Sequence, residues 1–299
     1  MAHVPPARRR YKGSMTDTDR WARVSLRPGD VLVCTPPKCG TTWTTTIVAM
    51  LQQGSAEAAP RDLVHWVDAE VVALDEMARA LDRQQGPRCM KSHTPFDGVP
   101  WSPEAFYIAV YRHPLDMLFS LRRHLENALD TPPDHPYLGP PEAALERFVT
   151  HEIDDYDFDC LATFVLHYRS FAARPRPDNA LMLHYADMLA DPRGTVAGIS
   201  DFLGLQRDAA LIDAITEASS FGAMKARADR FAPFSDQGYW RDPQAFFHSS
   251  GTGKWAGNLG EAALARYRAA IADRLGPPEV RWIEQGRQGS HSDQPGLPT

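Results

Sequence analysis

Val31-Leu32-Val33-Cys34-Thr35-Pro36-Pro37-Lys38-Cys39-Gly40-Thr41-Thr42-Trp43 is the stretch on which the fold turns. It opens as an apolar run of strand length, and Thr44 to Leu51 continues its far side as a helix. The turn between them carries a lysine, a glycine and paired threonines. Pro36 and Pro37 preset the backbone, and Gly40 permits a close approach. A helix starting near Thr41 offers unpaired backbone N–H groups and a partial positive charge. Lys38 adds a full charge, and Thr41 and Thr42 add hydroxyls. The turn therefore reads as a phosphate cradle. It is not the GxxxxGK[ST] loop, whose lysine directly precedes the hydroxyl residue. Here Lys38 precedes Gly40, and the first glycine is missing. A turn this short suits one terminal phosphate better than a wrapped triphosphate.

Working outward, further strands are expected at Arg88 to His93, Ala105 to Tyr111 and Ala180 to Tyr185. The latter pair are nearly all apolar, as strands buried on both faces should be. Helices are expected over 41–52, from Pro114 onward, and over 141–152, 159–173, 192–204, 208–218 and 260–274; residues 60–80 also carry helical spacing. Strands separated by helices imply an α/β fold, a single domain with a central parallel sheet flanked by helices. Ligands bind such sheets beyond the carboxyl ends of the strands. Lys38 to Thr42, Lys91 to His93 and Arg112-His113 all lie at such ends, so distant segments converge on one edge.

The bulk numbers fit this reading. A chain of 299 residues, 43% hydrophobic and 23% charged, suits a soluble domain of this size. A net charge of -6 argues against nucleic acid as the main partner. No apolar run is long enough to cross a membrane, and the N-terminus lacks a secretory apolar core, so a cytoplasmic protein with no membrane partner is expected. Residues 1–20 read as a flexible arm, 21–285 as the domain and 286–299 as a disordered tail. Cys34, Cys39, Cys89 and Cys160 form no CxxC pair, so neither zinc nor dithiol chemistry is suggested.

At this point the chain resembles the cytosolic-type sulfotransferases, which use 3′-phosphoadenosine 5′-phosphosulfate (PAPS) and have a P-loop-NTPase-like fold. The resemblance runs from about residue 20 to 285. Thr35 to Trp43 resembles their 5′-phosphosulfate loop, with Cys39 where serine is common; Lys38, Cys39, Gly40, Thr41 and Thr42 would bind there. Lys91-Ser92-His93 resembles the K-[ST]-H strand end, which implies His93 as the base, with Lys38 and Lys91 offsetting charge at the reacting sulfur. The chemistry agrees, since a hydroxyl attacking sulfur must lose its proton near neutral pH. Arg112 and Ser120, in a segment resembling R-x-P-x-D followed by serine, would hold the 3′-phosphate. Tyr185 matches Y-x-D and would hydrogen-bond the adenosine. Ser219 and Phe221 match [TS]-S-F-x-x-M-K, and Phe221 with Trp43 would flank the adenine.

The last signature, R-[KS]-G-x-x-G-x-W, is met by His248-Ser249-Ser250-Gly251-Thr252-Gly253-Lys254-Trp255. Gly253 and Trp255 align, but His248 replaces the phosphate-binding arginine. Ser249, Ser250 and Gly251 would supply the remaining donors, and His248 would bind best when protonated. The resemblance implies PAPS as co-substrate, no metal, and a small apolar or aromatic acceptor. The acceptor pocket is expected among Trp21, Trp66, Phe96, Tyr137, Tyr156, Phe158, Phe231, Phe234, Tyr239 and Trp240. No dimerisation segment is recognisable after Trp255, which leaves a homodimer open. The competing readings are an ATP-dependent small-molecule or nucleotide kinase and a non-catalytic adenosine-phosphate binding protein.

Overall fold

The computed structural model describes residues 8–153, 156–173, 178–236 and 238–289. Its strands are β1 (Val31–Cys34), β2 (Val64–Trp66), β3 (Cys89–Ser92), β4 (Phe106–Tyr111) and β5 (Ala180–His184). They form one parallel sheet in the order β2-β3-β1-β4-β5. β1 is central, with Val33 opposite Lys91 on one side and Ile108 on the other. Residues alternate between the two faces, as a pleated strand requires. Leu32, Met90, Tyr107 and Tyr111 join one core; Val31, Val33, Ile108 and Val110 join the other. The helix Thr41–Gln53 packs Ile47, Val48, Met50 and Leu51 on the second face, and Leu161–Ala172 packs Phe164 and Phe171 on the first. The expected α/β architecture is thus present.

Some segments differ from expectation. Val64–Trp66 is a strand inside a stretch that carried helical spacing; three half-buried residues at a sheet edge give almost no periodic signal, and the helices on either side of it are Pro60–Leu63 and Leu74–Arg83. A helix at Pro277–Gln285, unforeseen, buries Ile283. The described part of the expected flexible arm is packed: Tyr11 is buried and donates to Asp97 Oδ1 at 2.8 Å, and the Thr16 N–H donates to Asp157 Oδ2 at 2.8 Å. A 3-10 helix at Thr18–Arg23 then buries Trp21. Gly286–Gly289 forms a further 3-10 turn whose Arg287 N–H donates to Asp187 Oδ1 at 3.0 Å. Residues 1–7 and 290–299, the outer parts of the expected arm and tail, lie outside the described residues. Among the described residues no helix is long and apolar enough to cross a membrane.

At the amino ends of β1 and β3, Asp30 and Arg88 form a fully buried ion pair. Arg88 donates to Asp30 Oδ2 from a terminal nitrogen at 2.5 Å and from its own N–H to Oδ1 at 2.8 Å. The Arg27 N–H and the Ser25 carbonyl satisfy what remains.

Candidate active site

The exit from β1 has the cradle's geometry. Lys38 sits at φ 63° and Gly40 at φ 110°, both left-handed. A Cβ at Gly40 would lie 3.0 Å from the Tyr185 ring, so only glycine fits. The helix that follows has neither a side-chain cap nor an acidic residue in its first turn, which leaves its positive end available to an anion. Thr42 lines the cavity above it. The Thr41 hydroxyl is shared with that of Thr35, so it is a less free donor than expected. Cys39 departs from expectation: its side chain is buried in the core, off the cavity, and burial pushes its thiol up to about 12.

β3 delivers Lys91 and His93 on one side by strand alternation, with Ser92 on the other. The Ser92 hydroxyl donates to the buried Asp68 carboxylate at 2.6 Å, which pins the strand end. His93 Nδ1 lies 2.8 Å from the Thr35 carbonyl oxygen. A carbonyl only accepts, so Nδ1 carries the hydrogen and Nε2 keeps its lone pair. Burial, then Lys91, lowers the His93 pKa to about 3. Lys91 Nζ stands 4.0 Å over the Trp66 ring, and burial lowers it to about 8.

Lys38 Nζ donates to His124 Nδ1 at 3.1 Å and lies 4.8 Å over the Phe246 ring. Its pKa falls to about 7 through burial and the cations Lys254, Lys91 and Arg112. His124 escaped the sequence reading. The available signal was its place four residues beyond Ser120 on the helix Pro114–Asn127, hence on the same face. Asp159, also unforeseen, lines the same cavity, and burial pushes its carboxyl up to about 8.

β4 and β5 complete the edge. Arg112 is buried, lies 4.4 Å over the Tyr185 ring and donates to the Gly251 carbonyl at 2.5 Å. Gly251, at φ 102°, contributes this carbonyl but does not line the cavity. Asp116 ties the C-terminal loop to this helix, accepting from the Gly253 N–H at 3.0 Å and the Lys254 N–H at 2.7 Å. Ser120, Tyr185, Ser219, Phe221, Ser249 and Ser250 all line the cavity, as does Trp43, whose ring meets Tyr185 edge-on at 5.7 Å. His248 also lines it but is exposed, and desolvation with the nearby Arg123 and Lys254 lowers its pKa. A lowered pKa keeps His248 a weaker phosphate partner at neutral pH than the arginine of the signature.

One cavity of about 530 Å³ joins these groups, within the range of small-molecule sites. Trp66, Tyr156, Phe234, Tyr239 and Trp240 line it as expected. Trp21, Phe96, Tyr137 and Phe231 are instead buried in the hydrophobic core, and Phe158 packs on His151 and Tyr137. Proximity of a loop to the motif edge does not say which way its aromatic points.

Residues 28–277 match the sulfotransferase domain family. The chain belongs to that family. A glycolipid sulfotransferase of Mycobacterium bovis is 29% identical over 93% of this chain and 95% of its own length. Sulfotransferase 1B1 of Canis lupus familiaris is 30% identical over 70% of this chain and 72% of its own. In fold, the chain is similar to mouse sulfotransferase SULT7A1, solved with PAP, at a TM-score of 0.68 over 91% of each chain and 18% identity. The sulfotransferase resemblance carried by the motifs is therefore correct, and the protein is a transferase of this kind.

Proposed function

We propose that this sulfotransferase moves a sulfuryl group from PAPS to a hydroxyl of a small, predominantly apolar or aromatic acceptor. The observation that carries the reading is the state of His93. Its Nδ1–H is committed to the Thr35 carbonyl, so Nε2 keeps the lone pair, on a residue that lines the cavity together with Lys38 and Lys91. In the reaction, His93 Nε2 takes the acceptor's hydroxyl proton as the acceptor oxygen bonds to sulfur. The bond from sulfur to the bridging phosphate oxygen breaks, and its electron pair stays on the departing 3′,5′-bisphosphate. Lys38 and Lys91 offset the charge gathering on the sulfuryl and bridging oxygens. Arg112, Ser120, Ser249 and Ser250 hold the 3′-phosphate, and Trp43, Tyr185, Ser219 and Phe221 hold the adenosine.

The residues present fit an anionic co-substrate. Lys38, Lys91 and Lys254 all have pKa values lowered by burial, to about 7, 8 and 8 respectively. An anion bound among them favours their charged forms. It also raises the proton affinity of His93, which the cations otherwise hold down. The base is thus kept neutral in the ligand-free protein and becomes effective as the donor's charge arrives.

The test is a thermal-shift comparison of the 3′,5′-bisphosphate with ATP–magnesium, followed by transfer from labelled PAPS to panels of phenols, alcohols and glycolipids. Stabilisation by the bisphosphate and labelled product are expected. Stabilisation by ATP–magnesium alone would instead favour a kinase, and bisphosphate binding without transfer to any acceptor would favour a non-catalytic binder.

A further inference from the structure

We propose that Lys254 binds the 3′-phosphate in place of the arginine that this chain lacks at position 248. The inference rests on the reading of the cavity as a PAPS site and assigns one of its contacts. The loop His248 to Trp255 keeps the spacing of its signature but has lost the signature's cation. His248 itself is exposed and has a lowered pKa. Lys254, six residues on, occupies a position that the signature leaves open.

The geometry places Lys254 where the lost charge was needed. Its N–H is held by Asp116 Oδ1 at 2.7 Å, which fixes the base of the side chain. From there the side chain doubles back along its own loop, and Nζ donates to the Ser249 carbonyl at 2.9 Å. The ammonium therefore lies against the His248 to Ser250 stretch, on the cavity wall. Arg112 is anchored nearby through the Gly251 carbonyl of the same loop. Among the described residues Lys254 forms no salt bridge; its ammonium is held by a neutral carbonyl alone. A half-buried cation held that way, beside a guanidinium and serine hydroxyls, matches a phosphate that needs charge as well as hydrogen bonds. The competing role is a brace that only shapes the loop.

Isothermal titration with 3′-phosphoadenosine 5′-phosphate and with 5′-AMP separates these roles, because the ligands differ only in the 3′-phosphate. Wild type is expected to prefer the bisphosphate strongly. In Lys254→Met the preference falls about tenfold or more, as for loss of one charged hydrogen bond, while 5′-AMP affinity changes less than about twofold. Lys254→Arg restores most of the preference. Lys12→Met, which removes a surface lysine of the N-terminal segment, leaves it unchanged and controls for net charge. Equal weakening of both ligands in Lys254→Met would identify a loop brace and overturn the proposal, as would an unchanged preference. A wild type that binds the bisphosphate no better than 5′-AMP would overturn the PAPS reading itself, a result distinct from either.

Discussion

The two ends of the same sheet treat charge in opposite ways. At the amino ends, Arg88 meets Asp30 with paired donors and acceptors, and backbone groups satisfy the rest. At the carboxyl ends, Lys38, Lys91 and Lys254 rest on a neutral histidine, an aromatic ring and a carbonyl. Both arrangements take charge out of water, which is costly unless a partner compensates. At one end the partner is built into the chain. At the other no carboxylate of the chain pairs with these lysines among the described residues, and the fold places them where parallel sheets bind ligands. A buried ion pair that is complete belongs to folding; three gathered lysines that form no salt bridge among the described residues belong to binding.

The sharpest way to test this contrast is to remove the one group assigned to chemistry alone. His93→Ala should lower kcat by ~10²–10⁴ while leaving the bisphosphate Kd nearly unchanged, in a single-turnover assay beside calorimetry. A variant that keeps its rate would mean that the base lies elsewhere. At the opposite end, Arg88→Met strands a buried carboxylate and should cost about 3–5 kcal/mol in chemical denaturation. Adding Asp30→Leu should return much of that loss, since the pair is then replaced by apolar volume. If the single variant is as stable as wild type, the two ends do not differ as argued.

Lys38→Met should do the reverse of Arg88→Met. It removes a desolvated charge that has no carboxylate partner, so the ligand-free protein should gain on the order of 1 kcal/mol at pH 7, while bisphosphate affinity drops. A destabilised Lys38→Met would show that His124 and Phe246 already compensate the lysine fully.

The smallest effect is a pH dependence whose sign follows from the lowered lysine. Its folded pKa of about 7 lies below the ordinary lysine value of 10.5, so the unfolded chain holds more protons between these limits. Stability contributed by this group therefore rises with pH across that window. The advantage of Lys38→Met over wild type should be largest below pH 7 and vanish above about pH 10. An advantage that does not change with pH would separate it from ionisation.

Much of the site was legible because its residues sit next to strong local punctuation. The double proline, Gly40 and the apolar runs marked the strand ends, so Lys38, Lys91, His93 and Arg112 could be placed on one edge. His124 and Asp159 carry no such mark: one lies in the last turn of its helix and the other after a poorly patterned loop, and only packing turns them inward. Cys39 shows the converse. Its place in the motif suggested the cavity, yet the left-handed turn at Lys38 and Gly40 sends its side chain into the core. The packed N-terminal segment was missed for a related reason: its arginines dominate the sequence, whereas Tyr11 and Trp21 do the anchoring.

The sequence by itself determined the alternation of strand and helix, the lysine-and-glycine turn after the first strand and the sulfotransferase family, because these depend on residues close together in the chain. Tertiary structure alone decided the charge balance of the site: which histidine meets Lys38, which aromatics wall the cavity, and that Asp116 draws Lys254 back toward Arg112. Those outcomes depend on contacts between segments far apart in the chain, 86 residues for Lys38 and His124 and 138 for Asp116 and Lys254. Burial acts on groups only once such segments meet, so no local pattern can encode it.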